Sequence, residues 1–133
     1  MPSQDKERQK HFMERCMALL DPLGPVTARR MFGGYGVFFD DLLQGDVMFA
    51  LVAGEQLYFK CDPQSLPRFK EAGAEPFRYA KQGRTMELSY REAPQGSLES
   101  SAALLPWAEL ALSAARAAQA GKPKAGKPKK RKG

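Results

Sequence analysis

An α+β fold is predicted for this 133-residue sequence, as a two-layer sandwich whose mainly antiparallel sheet of about six strands is flanked by N- and C-terminal helices. Three observations predict it. Apolar residues recur at helical spacing only near the two ends and in one short central stretch. Alternation at period two fills the segments between them, and short glycine-containing connections join the alternating runs as hairpins. Helices segregated from hairpins in this way define α+β rather than α/β, and the length suits one domain.

The first helix is read over residues 4–20. Ser3 is its expected N-cap, and Asp5 and Glu7 lie in the first turn, where the helix dipole favours acids. Phe12, Met13, Cys16, Met17, Leu19 and Leu20 make one apolar face, beside which His11 reads as a partly exposed helix residue. Asp21-Pro22 and Gly24-Pro25 end the helix, because the residue before a proline avoids the α region. Val26–Phe32 is a first strand, Gly33-Gly34 interrupts it, and Tyr35–Phe39 is a second. Asp40–Asp46 is a polar turn. Val47–Ala53 is apolar at every position, which suits a central strand covered on one face by helices and on the other by something else. Gly54-Glu55 reads as a type II′ connection to Gln56–Cys61, with Leu57, Phe59 and Cys61 on one face and Tyr58 and Lys60 on the other.

Residues 63–73 read as a short helix, capped by Asp62, opened by Pro63 and ended by Gly73. Phe77–Ala80 and Thr85–Tyr90 form a second hairpin around Gln82-Gly83, with Met86, Leu88 and Tyr90 facing inward. Leu104, Trp107, Ala108, Ala111, Leu112, Ala115 and Ala118 then mark a closing helix over residues 98–119, capped by Ser97 or Ser100. Pro106 disfavours helix at Leu105 and offers itself as the true start. The alanines predict close packing, with Trp107 against the sheet.

Charge divides the chain. Residues 121–133 hold Lys122, Lys124, Lys127, Lys129, Lys130, Arg131 and Lys132 and no acid. Removing those seven from the total of 21 bases leaves 14 against 15 acids, a net of −1 for residues 1–120. The expected organisation is therefore a near-neutral body over 1–120 and a disordered Lys-rich tail over 121–133, since Gly, Pro and like charges make no core. Seven cations would release counterions from DNA or RNA phosphates, giving nonspecific, salt-dependent attraction without base reading.

No apolar run approaches the ~18–20 residues of a membrane span, and the charged N-terminus lacks an apolar segment of the signal-peptide kind. No membrane partner is expected. Cys16 and Cys61, far apart and outside any CxxC, read as small buried hydrophobes in a reducing cytosol, hence a cytoplasmic location. With one histidine and two scattered cysteines, neither a metal site nor a cofactor is expected.

Arg29-Arg30-Met31-Phe32-Gly33-Gly34-Tyr35-Gly36 is the most distinctive stretch, and it has two readings. Arg29, Arg30, Gly33 and Gly34 could bind a small anion through backbone amides and guanidinium groups; alternatively the glycines serve a tight turn or bulge and the arginines are solvated or paired. The stretch is neither a P-loop nor a dinucleotide fingerprint. Tyr58, Phe77, Tyr79 and Tyr90 could stack nucleobases on a sheet or could simply be core. Lys60, Lys81 and Arg84 read as a positive rim or as solubilising charge. His11 has no evident nucleophile partner, and Asp40-Asp41 fits local hydrogen bonding in a turn. No catalytic residue is nominated.

The Arg29–Gly36 run resembles the N-terminal domain of the TfoX (Sxy) family, regulators of natural competence. The likeness continues through Val47-Met48-Phe49-Ala50-Leu51, Leu57-Tyr58-Phe59-Lys60, Phe77-x-Tyr79, Met86-x-x-Ser89-Tyr90 and the Trp107 helix, over roughly residues 8–119. It implies a small α/β domain, an association with transcription of DNA-uptake genes, and no established catalytic residues. Two departures accompany it: a lysine-rich tail stands where full-length members carry a second, helical domain, and the Asp40–Asp46 turn is longer than the family's usual one. The function expected is a non-enzymatic regulatory or accessory protein, acting through protein contacts with a protein partner such as the transcription machinery, and aided by the tail. The alternatives are a protein-interaction module with no nucleic-acid role and an enzyme taking a small anionic substrate near Arg29 and Arg30.

Overall fold

A computed structural model describes residues 2–31, 33–81 and 84–120. Helix α1 (Pro2–Leu20) leads through a 3-10 turn at Asp21–Leu23 into four strands, β1 (Val26–Met31), β2 (Gly34–Asp41), β3 (Gly45–Ala53) and β4 (Gln56–Lys60). A short helix α2 (Leu66–Glu71), strands β5 (Pro76–Lys81) and β6 (Arg84–Glu92), a 3-10 turn at Ser97–Glu99 and helix α3 (Ser101–Ala120) follow. The six strands form one sheet in the order β1-β2-β3-β4-β6-β5, every neighbouring pair antiparallel. The α+β class and the six-stranded antiparallel sheet with terminal helices are as the sequence predicts.

All three helices pack on one face. Their buried residues, Cys16 and Leu20 of α1, Phe69 of α2 and Leu104, Ala108, Ala111, Leu112 and Ala115 of α3, form a single core with Val37, Val47, Phe49, Val52, Leu57 and Phe59 of the sheet. Alanine on the inner side of α3 lets that helix approach β3 and β4 closely. Phe49, Phe59, Phe69 and Trp107 form a chain of rings 6.5, 6.5 and 5.0 Å apart, each such pair adding about 0.5–1.5 kcal/mol beyond its burial. Trp107 thus packs on Phe69 of α2 as well as over the core, and its ring is only half-buried.

Several boundaries differ from the sequence reading, each for a local reason. Helix α1 starts at Pro2, so Ser3 is its second residue rather than its cap; proline is well suited to the first helical position. Helix α2 starts at Leu66 with Pro67 in its first turn, while the Asp62 carboxylate accepts a hydrogen bond from the Ser65 N–H (2.9 Å) and holds the preceding turn. Helix α3 runs straight through Pro106 from Ser101. The Ala102 carbonyl that loses its partner lies in the first turn, and both residues face solvent. Its cap is Ser100, whose Oγ accepts from the Ala103 N–H (3.1 Å), while Ser97 belongs to the preceding 3-10 turn. Strands β2 and β3 extend to Asp41 and back from Gly45, so the turn between them is only Leu42-Leu43-Gln44. Phe32, Gln82, Gly83 and the tail residues Lys122, Lys124, Lys127, Lys129, Lys130, Arg131 and Lys132 lie outside the described residues.

Candidate functional site: the open face of the sheet

The register assigns every β residue to a face. Val37 opposes Ala50, Val52 opposes Leu57 and Ala50 opposes Phe59, and all of these belong to the core beneath the helices. The intervening pairs, Arg29–Gly36, Phe38–Met48, Gly36–Leu51, Leu51–Tyr58 and Lys60–Tyr90, therefore stand on the other face. Among the described residues no helix packs there. A second apolar layer occupies that face. Met31 and Phe38 meet above Gly36, where an added Cβ would lie 2.8 Å from the Met31 sulfur and 3.0 Å from the Phe38 ring. Leu51, only 6% exposed, sits beneath this layer, and Met48, Tyr58 and Phe77 are half-buried. The Tyr58 and Phe77 rings touch edge to face across β6 (4.9 Å). Burial, with the Glu92 carboxylate nearby, raises the Tyr58 phenol above its ordinary value, and burial pushes Tyr90 up to about 12.

This layer corrects one inward assignment. Tyr90 pairs with Lys60, not with a core residue, so its register places it on the open face, where the Lys60 ammonium lies 5.4 Å from its ring. The Met86, Leu88 and Tyr79 side chains lie outside the described residues.

The sequence-nominated anion residues fall at the border of the same sheet. Arg29 and Arg30 point to opposite faces of β1, as alternation along a strand requires. Arg29 stacks over Phe38 (4.4 Å) on the open face and pairs with Asp46. Arg30 reaches toward the helix face, where it hydrogen-bonds the Tyr35 hydroxyl (3.2 Å) and stands 5.2 Å from that ring. Gly33 takes a left-handed φ of 73° in the β1–β2 turn. Gly34 is held for another reason: a Cβ there would sit 2.0 Å from the Val52 carbonyl oxygen. The four residues thus stay close in sequence while the two guanidinium groups engage different partners.

At the far end of the β2–β3 hairpin, the turn that the sequence reads as polar carries two fully projecting leucines, Leu42 (100% exposed) and Leu43 (93%). Asp41 fixes that apex. Its carboxylate accepts from the Leu43 and Gln44 N–H groups (3.0 Å each) and from Arg116 Nε of α3 (2.7 Å). Burial works against the charge, but the two backbone N–H groups and Arg116 outweigh it and hold the carboxyl below its ordinary value. Gln44 Nε2 donates to the Arg116 carbonyl (3.4 Å), and Gln119 Nε2 donates to the Gln44 carbonyl (3.3 Å).

The remaining chemistry-bearing side chains sit apart. His11 is exposed on α1 with Glu7 3.8 Å away. Cys16 and Cys61 are free, buried thiols, pushed up by burial to about 12 and about 11. No described helix is long and apolar enough to cross a membrane, and the described residues hold no cluster of three or more His, Cys, Asp or Glu side chains fit for a metal.

Comparison with known proteins fits this architecture. The chain is 34% identical over 80 residues to the DNA transformation protein TfoX1 of Aliivibrio fischeri (strain ATCC 700601 / ES114). That alignment covers 60% of this chain but only 36% of the relative, so the chain matches little more than a third of that protein's length. Residues 18–115, from the end of α1 through the sheet to the buried side of α3, match the TfoX N-terminal domain, and the chain belongs to that family.

Proposed function

We propose that this chain is a non-enzymatic regulatory or accessory protein of DNA transformation that acts through protein contacts on the open sheet face, with nonspecific nucleic-acid attraction supplied by residues 121–133. One observation carries the reading: a strand whose outward residues are as apolar as its inward ones. Met48 and Leu51 of β3 join Phe38, Tyr58 and Phe77 in a layer that no described helix covers. Contiguous apolar surface of this kind marks interaction sites in soluble proteins. At its border Arg29 is neutralised by Asp46 and the Glu92 carboxylate stands opposite Tyr58, which favours a protein partner over a polyanion at this face. The relative's name supports DNA transformation as the process.

The test is genetic. In the source organism with this gene removed, the full chain is expected to restore uptake of added DNA, and a full chain carrying Met48→Glu and Tyr58→Ser is not. Both changes fall on half-buried positions outside the core, so the variant's melting temperature checks that folding is retained. Full restoration by a folded variant would remove the open face from the account. Affinity capture from the same cells with and without nuclease separates the two contributions, because protein contacts survive nuclease and tail-mediated association does not.

A further inference from the structure

Two apolar features lie outside the open face, a knob and a hollow, and neither the sheet layer nor the family match explains them. Leu42 and Leu43 project fully at the β2–β3 apex, and they are held out rather than left loose. The Asp41 carboxylate accepts from the Leu43 and Gln44 N–H groups, and Arg116 and Gln119 fasten the turn to α3. A turn fixed in this way needs little further ordering when its side chains bind. The hollow, of about 410 Å³, lies between the start of α2 and strands β5 and β6, with Cys61, Pro63, Leu66, Pro76, Ser89 and Arg91 among its walls. Its walls are more apolar than those of the grooves beside Gly54 and Gly73. Fully exposed, the leucines do not occupy their own chain's hollow.

Topology and charge match the two features to each other. Strand β2 runs toward the apex and β4 runs parallel to it, so Cys61, which follows β4, lies at the same end of the sheet as the leucines. Only about 5 Å separates each strand from the next, so the knob and the hollow stand nearly side by side. At the apex Asp41 is paired with Arg116 and Asp46 with Arg29, while exposed Asp40 has no ion pair among the described residues. At the hollow Arg91 donates to the neutral Ala74 carbonyl (2.7 Å), and the Lys60 ammonium donates to the Ser89 hydroxyl (2.6 Å). These two cations stand against Asp62, the acid among the described walls. An apolar knob with an excess acid thus meets an apolar hollow with an excess cation.

We propose that two copies of this chain dock end to end across a two-fold axis, the Leu42-Leu43 apex of each seated in the other's hollow between α2 and strands β5 and β6. Because both features lie at one end of the sheet, a single axis makes the two contacts at once, as a self-complementary interface requires. Each contact brings Asp40 toward Arg91 and Lys60 of the other copy. The buried patch is at the small end of specific interfaces, so the dimer is weak and reversible. It uses none of the open-face residues Met48, Leu51 and Tyr58, and so stands or falls independently of the function proposed above.

The experiment is sedimentation velocity of the full chain from micromolar to high micromolar concentration, where a reversible monomer–dimer equilibrium is expected. Leu42→Ser with Leu43→Ser is expected to weaken the dimer about tenfold or more, from the apolar burial lost. Ser89→Trp, which fills the hollow from an exposed strand position, is expected to do the same, whereas Ser89→Ala dimerises like the parent; melting temperatures check that every variant is folded. A mixture of the serine and tryptophan variants is expected to associate more strongly than either alone, since one intact apex then meets one intact hollow. The open-face variant, Met48→Glu with Tyr58→Ser, is expected to dimerise like the parent. The proposal is overturned if the full chain is monomeric throughout, or if the serine variant dimerises like the parent. Parent-like dimers of the folded Ser89→Trp variant, or no gain on mixing, overturn it as well, because the leucines would then meet something other than the hollow. Loss of the dimer in the open-face variant would move the contact to that face and equally overturn it.

Discussion

Replacing Gly34 by alanine is expected to destabilise the protein by about 3–4 kcal/mol, more than the same change at Gly33, although Gly33 has the glycine-type backbone. The new methyl at Gly34 would stand 2.0 Å from the Val52 carbonyl oxygen, whereas ordinary contact begins at 3.4 Å, so some 1.4 Å of backbone movement is required. Val52 is fully buried and locked between Tyr35 and Leu57 in the sheet register, which leaves no flexible side chain to absorb the shift. Movement of that size disrupts roughly two ladder hydrogen bonds at about 1 kcal/mol each and leaves a buried polar group poorly paired, for about 1–2 kcal/mol more. At Gly33 the φ of 73° penalises alanine by only about 1 kcal/mol, and nothing lies within 4 Å of the added methyl. Urea unfolding of the two variants, compared at equal m-value, reads the difference. A Gly34→Ala variant within about 0.5 kcal/mol of the parent, or less damaged than Gly33→Ala, would refute the close-approach argument.

Other outcomes are expected from the same reasoning. Trp107→Ala is expected to cost about 2–3 kcal/mol and Phe69→Ala about 3–5, because the tryptophan is half-buried and its phenylalanine neighbour fully so; urea unfolding would contradict this by reversing the order. The folded-state value of Asp41 is depressed, so its clamp on the apex contributes fully above the ordinary 3.8 and is lost as pH falls through the lower folded value. Amide exchange at Leu43 and Gln44 is expected to stay slow down to that range, and Asp41→Asn to remove the pH dependence. For duplex DNA, log K against log[salt] is expected to fall with a slope no steeper than about −6 for seven phosphate contacts, and to flatten when the seven cations of residues 121–133 become glutamine. Cys16 and Cys61 are expected to resist thiol reagents at neutral pH until the protein unfolds, because both are buried and their thiols are raised.

Much of the fold was legible because local pattern and tertiary burial agree. Period-two alternation in Leu57–Cys61 and helical spacing from Phe12 to Leu20 put the same side chains into the core that the structure buries. The open face was half legible. Val47–Ala53, apolar at every position, announces two covered faces, yet nothing local tells which residues the second cover would touch. The β2–β3 bulge between Val37 and Phe38 puts both Phe49 and Ala50 in the core, a shift that strict alternation does not foresee. Tyr90 was misread because its face depends on pairing with Lys60, a partner 30 residues away. The apex was missed for a similar reason. Leu42-Leu43 sits among Asp40, Asp41, Gln44 and Asp46, so composition reads as a polar turn, while the exposure of the leucines follows from Arg116 and Gln119, contributed by the last helix. The arginine–glycine stretch gave away its turn, but not that alternation along β1 would send Arg29 and Arg30 to opposite faces.

The claim that the open sheet face makes the functional contacts is tested most directly by site-specific photo-crosslinking of the full chain in its native cells. A photoreactive residue placed at Met48 or Tyr58 is expected to give protein adducts that persist after nuclease treatment, while one at Glu109, exposed on the outer side of α3, gives none. Adducts arising from the Glu109 position and absent from both open-face positions would contradict the account.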